Sequence, residues 1–243
     1  MVKHLLRGLV IVPLLMLLAA VSQAPGVGAQ EGERPFSFPF AGPPGPSTWL
    51  MNQPYGNTTF AYRSRFGDYR MGQGLHFAVD ISAKCGTPVL AIYDGTVAVV
   101  DDVYKYGSGP HNVVINHPNG YASLYGHLVE RSKLTVGTPV RRGQVIGYSG
   151  DPDETCYSRP HLHLEIRDLT YRHAFNPIPL IDADWDNLTL AGGFGRNFQR
   201  DLDDPRRWQD LEDQPDIVFG GTIINNFART WPPSFPNTPA LGR

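Results

Sequence analysis

The chain has 243 residues, 41% of them hydrophobic and 18% charged, with a formal net charge of −2 at neutral pH. That length and apolar content suffice for one medium domain with a substantial core plus short appendages. Its 21 Lys and Arg are scattered among 23 Asp and Glu, which excludes nucleic-acid binding or a polybasic membrane patch as its mode of action.

Lys3 and Arg7, the apolar run Leu9 to Val21 and the small residues Val27-Gly28-Ala29 have the form of an export signal. The run is shorter than the ~20 residues of a spanning helix and Pro13 interrupts it, so residues 1–29 are expected to be cleaved, leaving no stable membrane insertion; an uncleaved membrane anchor is the alternative. Cleavage removes two positive charges and no acid, taking the formal charge from −2 to −4, and no cysteine near that site offers a lipid attachment point. The two cysteines, Cys85 and Cys156, would then meet an oxidising compartment. A disulfide is the expected outcome, contributing about 4 kcal/mol through chain entropy; free thiols or metal ligation are the alternatives.

Residues 30–48 carry Pro35, Pro39, Pro43, Pro44 and Pro46 and read as an extended linker. From Trp49 to Pro179 short Val, Ile and Tyr runs are punctuated by Gly and Pro, which predicts an all-β domain with no long amphipathic helix. Strands are expected at Pro88–Ile92 and Thr96–Val100 around Asp94-Gly95, and at Val113–His117 and Tyr121–His127 around Pro118-Asn119-Gly120, as two hairpins. Two more are expected at Pro139–Tyr148 and His161–Arg167, with Gly143 and a Gly150–Arg159 loop between them. Residues 180–243 form an irregular C-terminal extension with Trp185, Trp208 and Trp231. Its tryptophans either anchor it to the domain or form a sugar-binding surface.

The heptad His161-Leu162-His163-Leu164-Glu165-Ile166-Arg167 alternates in polarity without a break. On a strand, Leu162, Leu164 and Ile166 enter the core while His161, His163, Glu165 and Arg167 share the opposite face, placing two imidazoles ~7 Å apart. The same rule puts Tyr121, Ser123, Tyr125 and His127 on one face of their strand, so three imidazoles converge if the strands are neighbours; otherwise they are unrelated surface histidines. Val79 and Ile81 around Asp80, with Gly72 and Gly74 before His76, argue against a helix through His76 and Asp80. The two side chains can share a metal only if the chain bends, with His76 in the Gly-rich loop and Asp80 on the next strand. Two His nitrogens and one carboxylate would suit a catalytic zinc with an open fourth position.

Gly74-Leu75-His76-Phe77-Ala78-Val79-Asp80-Ile81, then Gly86-Thr87-Pro88-Val89, Asp94-Gly95-Thr96-Val97, Leu124-Tyr125-Gly126-His127-Leu128, Gly143-Gln144-Val145-Ile146-Gly147 and His161-Leu162-His163-Leu164-Glu165 together resemble the lysostaphin-type zinc endopeptidases. Six motifs stand in that family's order between Trp49 and Pro179. The resemblance implies a two-layer antiparallel, β-sandwich-like peptidase domain over residues 49–179, one Zn2+ per chain held by His76, Asp80 and His163, and catalytic histidines His127 and His161. It implies peptidoglycan as the partner and peptide bonds of its cross-links or stem peptides as substrate, in the periplasm, at the cell wall or in secreted form. Ala78 stands where the family commonly has glycine, and Cys156 lies in a loop that is commonly rich in Ser, Thr and Gly.

No His-Glu-x-x-His helix supplies a glutamate base, so His127 or His161 is expected to take the water proton and the other to serve the oxyanion or the leaving amine. Glu165 either orients His163 or forms a surface ion pair with an arginine. His111, His117 and His173 are expected at the surface, and Ser123, Tyr125 and Asn112 are candidate groove-lining residues. Two other classes compete with the enzyme: a non-catalytic cell-wall-binding or amidase-activating module of the same fold, and a carbohydrate-binding protein acting through its tail. No oligomeric state is legible.

Overall fold

The computed structural model describes residues 34–185, 188, 199–200, 208–209 and 211–225. The export signal read at 1–29 and Trp231 lie outside them. Among the described residues no helix is long and apolar enough to cross a membrane.

The architecture is an antiparallel all-β domain. Its large sheet runs in the order β1 (Trp49–Gln53), β2 (Val79–Ala83), β9 (His161–Asp168), β6 (Tyr121–Leu128), β5 (His111–Asn116), β4 (Gly95–Val100) and β7 (Pro139–Val140). Off this path, β10 (His173–Phe175) pairs with the C-terminal half of the interior strand β9 and with β13 (Ile217–Val218). A ribbon of β3 (Pro88–Leu90) and β8 (Val145–Tyr148) forms the second layer, and its Val89 and Ile146 share the main core with Ile81, Tyr125, Leu128 and Leu162. The described helices are single turns, α1 (Thr59–Arg63) and α2 (Val103–Tyr106). A further ribbon joins β11 (Gln199–Arg200) to β12 (Trp208–Gln209).

Three local readings change. Asp94-Gly95 does not close a hairpin: β3 turns away to pair with β8, and β4 pairs with β5 and β7. The segment Pro139–Tyr148 is two strands, because Arg141–Gln144 forms a turn in which Gly143 has φ +79°. The proline-rich stretch read as a linker is docked over its described part. Phe36 is fully buried with a parallel bridge to Ile181, and Phe38 stacks on Trp49 at 4.1 Å. Burial of Phe36 and Phe40 in the main core outweighs the local preference for an extended spacer.

The C-terminal extension is likewise docked on the body over its described part. Trp185 is 4% exposed with its indole N–H donated to Ile181 O at 3.1 Å, and Leu211 and Ile217 lie in the main core. An indole that is buried and hydrogen-bonded in this way anchors the tail and leaves no face for a sugar.

Candidate metal centre

Register decides which side chains meet. Asp80 of β2 faces His163 of β9, Ser82 faces His161, and Gly126 of β6 flanks His163 on its other side. Asp80, His161, His163, Glu165 and Arg167 therefore share one face of the sheet, while Leu162, Leu164 and Ile166 enter the core as the alternation predicts. His76 is held at the edge of this face by a bridge to Gly56, with Gly56 N donating to His76 O at 2.7 Å and His76 N to Gly56 O at 2.9 Å. The turn before it requires glycine: a Cβ on Gly72 would stand 2.4 Å from the Phe77 ring, and Gly74 has φ +84°.

His127 reaches the same place by breaking the strand rule. Tyr125 and Ser123, two and four residues earlier, face the core on the opposite side and are fully buried. They do not line the groove; nor does Asn112, whose buried amide donates to Gly107 O at 2.8 Å. A φ of +57° at His127 turns its side chain out to the metal face, its ring 4.7 Å from His161 and 5.4 Å from His163. Gly126 allows this, since a Cβ there would collide with Ser108 at 2.2 Å. The loop through Ser108 then lies over the strand, and His127 Nδ1–H donates to the carbonyl of Gly109 in a short hydrogen bond.

Each imidazole is fixed by its second nitrogen. His76 Nδ1 donates to Pro54 O at 2.7 Å, and its buried Nε2 has no hydrogen-bond partner and stands 3.3 Å from Asp80 Oδ1. His163 Nδ1 lies 2.9 Å from Asp80 Oδ1 and its Nε2 3.2 Å from Glu165 Oε1. Ligand atoms of His76, Asp80 and His163 all lie within 4.8 Å of one another. His161 Nδ1 donates to Arg159 O at 2.7 Å, which aims Nε2 into the site, 3.6 Å from Asp80 Oδ2. Glu165 is fully buried and holds His163 while pairing with Arg167 Nε at 2.6 Å, so orientation and ion pair coexist and neither is at the surface.

Burial disfavours the Asp80 carboxylate, but His76, His161 and His163 outweigh it and hold its pKa well below the usual range. Burial also opposes a charged His163, yet its bonds to Asp80 and Glu165 raise it to about 9. His127 is pushed down to about 3 by burial and by the neighbouring His163 and His161, so it is neutral at ordinary pH. The face carries a groove of about 550 Å³, lined from the β1–α1 side by Gln53, Phe60, Arg63 and Tyr69 and from two loops by Ser108 and Arg159. Tyr69 escaped the sequence reading because it lies before the glycine turn and outside the quoted motifs. Burial and the Asp80 charge raise its pKa, so its phenol remains a hydrogen-bond donor.

A donor set of two nitrogens and one carboxylate oxygen, each imidazole anchored through its far nitrogen and one ligand nitrogen buried without a partner, fits a zinc ion. The loop beyond the site is tied down by a disulfide between Cys85 and Cys156, 71 residues apart. His117, expected at the surface, is instead buried behind the sheet; His173 is exposed and paired with Asp168, and His111 is partly exposed and paired with Asp101.

An antiparallel sheet presenting this triad beneath two oriented histidines has the form of a single-metal hydrolytic centre. Residues 74–177 match Peptidase family M23, and the chain carries a domain of that family. It is 31% identical over 156 residues to the glycyl-glycine endopeptidase ALE-1 of Staphylococcus capitis, covering 62% of this chain and 38% of that protein. It is 36% identical over 115 residues to the murein hydrolase activator EnvC of Escherichia coli, covering 47% and 26%. The structure of the catalytic domain of lysostaphin from Staphylococcus simulans is similar with a TM-score of 0.37 at 29% identity, covering 44% of this chain and 78% of that one. The chain thus spans less than half the length of these two curated relatives.

Proposed function

We propose that this chain is an exported zinc metalloendopeptidase that hydrolyses peptide bonds in bacterial peptidoglycan, in its cross-links or stem peptides. One observation carries the reading: five side chains meet on one face, with His76, Asp80 and His163 as a compact donor set and His127 and His161 each presenting Nε2 toward it. When bound, zinc supplies Lewis acidity, polarising a carbonyl and lowering the pKa of a water.

The chain's own residues then carry the protons. His127 and His161 both donate Nδ1–H to backbone carbonyls, so in their neutral forms each Nε2 is an acceptor. Either can take the proton of an attacking water as its oxygen bonds to the scissile carbon. The same proton then passes to the amine as the C–N bond breaks. Pro54, Gly109 and Arg159 fix the ring orientations through their carbonyls, and Tyr69 offers a neutral donor toward a substrate oxygen. Export is supported by the Cys85–Cys156 disulfide, which suits an oxidising compartment.

Substitution tests the proton roles. His127→Ala and His161→Ala are expected to retain zinc while turnover falls about 10²–10⁴-fold; wild-type turnover in both zinc-loaded variants would remove them from the chemistry. The similarity to EnvC favours a second reading, a module that activates another hydrolase. The complete five-residue set weighs against it, because an activator has no use for two proton-accepting histidines beside a metal triad.

A further inference from the structure

The segment Leu211–Asn225 lies beyond the residues matched to the family, yet it grips both sides of the bridge that carries His76. On one side Gln214 Oε1 accepts from Asn57 N at 2.8 Å, and its side chain lies so close to Gly56 that a Cβ there would stand 2.4 Å from that oxygen. Gly56 exchanges both backbone hydrogen bonds with His76, and Pro54, two residues earlier, anchors the His76 ring.

On the other side the contacts converge on Gln73 and Gly74. Gln73 holds φ +58°, a conformation costly for a residue with a Cβ. Its side chain accepts from Val218 N at 2.7 Å and donates to Thr222 O at 2.9 Å, while its carbonyl accepts from Ile224 N at 3.0 Å and Asn225 N at 3.3 Å. Asn225 is fully buried and donates its side-chain N–H to Gly74 O at 2.7 Å. These bonds oppose the strain at Gln73 and leave the turn one way to enter His76.

We propose that Leu211–Asn225 is a clamp that positions the metal ligand His76, with Gln73, Gln214 and Asn225 as its positioning residues. The inference rests on the proposed ligand set but not on the peptidase activity. Without the clamp the Gln73–Gly74 turn relaxes, and His76 Nε2 loses its fixed relation to Asp80 and His163.

Binding of zinc and docking of the segment are then linked, and each strengthens the other by the same factor. Amide hydrogen exchange of the intact wild-type chain, with and without zinc, reads this directly. Zinc is expected to slow exchange at Val218, Ile224 and Asn225, remote from the metal but bonded to Gln73. Zinc titrations of Asn225→Ala, and of Gln214→Met, which keeps bulk but lacks the acceptor for Asn57, are expected to show affinity at least about 10-fold weaker, with an altered visible spectrum of bound Co2+. Unchanged tail exchange on zinc loading, or wild-type zinc affinity in both variants with only a lower Tm, would overturn the clamp and leave the ligand set standing. A wild-type chain that takes up no zinc would remove the ligand set and the clamp together.

Discussion

His117 and the candidate-site histidines lie on opposite faces of one sheet, and they differ in what their second ring nitrogens meet. His76, His117, His127 and His161 each donate Nδ1–H to a backbone carbonyl, those of Pro54, Asp94, Gly109 and Arg159. The difference is at Nε2. In His117 it lies 2.8 Å from Ser123 Oγ, which continues to the Tyr125 hydroxyl at 3.0 Å, so both ring nitrogens are satisfied inside the core. In His76 it is buried without a hydrogen-bond partner, beside the Asp80 carboxylate, and in His127 and His161 it faces the groove. Burial alone does not mark function, because His117 is only 3% exposed. His76, His127 and His161 are set apart by that open nitrogen, and His163 by its place between the Asp80 and Glu165 carboxylates.

The largest test breaks the metal face. Asp80→Ala or His163→Ala is expected to abolish zinc retention and with it all hydrolysis, measured as metal content and product release. His117→Gln on the other face should keep both. A variant of His117 that lost zinc while folded would erase the distinction between the faces.

Next in size is the tether of the loop that orients His161. The Cys85–Cys156 bridge closes a 71-residue span, and opening it with Cys85→Ser and Cys156→Ser is expected to cost about 4 kcal/mol, read as a lowered midpoint in urea. An unchanged midpoint would mean that the loop is held without it. Smaller again is Glu165→Gln, which keeps the shape beside His163 but loses the charge paired with Arg167. Zinc affinity is expected to fall about 10–100-fold.

The smallest effect belongs to His117. Burial, opposed by the Asp94 carbonyl bond, depresses its folded pKa to about 4 from an ordinary value of 6.5. Between those values the unfolded chain binds the extra proton, so this contribution to stability is complete above pH 6.5 and is lost as pH falls toward 4. The stability difference between pH 7 and pH 5 should therefore be smaller in His117→Gln than in wild type, and equal slopes would contradict the assignment.

The shared face of Asp80, His161 and His163 was legible because alternation in His161–Arg167 is a local rule, and its register with Asp80 follows from burying Val79, Ile81, Leu162 and Leu164 on the other side. His127 was grouped with His161 and His163, beside which it lies, but with companions that face the other way. Period 2 would carry Ser123 and Tyr125 with it, and only the positive φ after Gly126 separates them. Long-range packing hid the rest. Phe36 and Trp185 bring the described parts of the two terminal segments onto the core, and β3 chooses β8, encoded more than fifty residues later, over its neighbour β4. Tyr69 carries no pattern of its own and becomes visible only when the groove is assembled.

Hydrolysis itself is read by incubating the mature protein with purified peptidoglycan and measuring new amino termini, with zinc, with a chelator and with His163→Ala. Release is expected to require zinc and to disappear in both controls. No release from folded, zinc-loaded protein would contradict the endopeptidase reading and favour the activator reading.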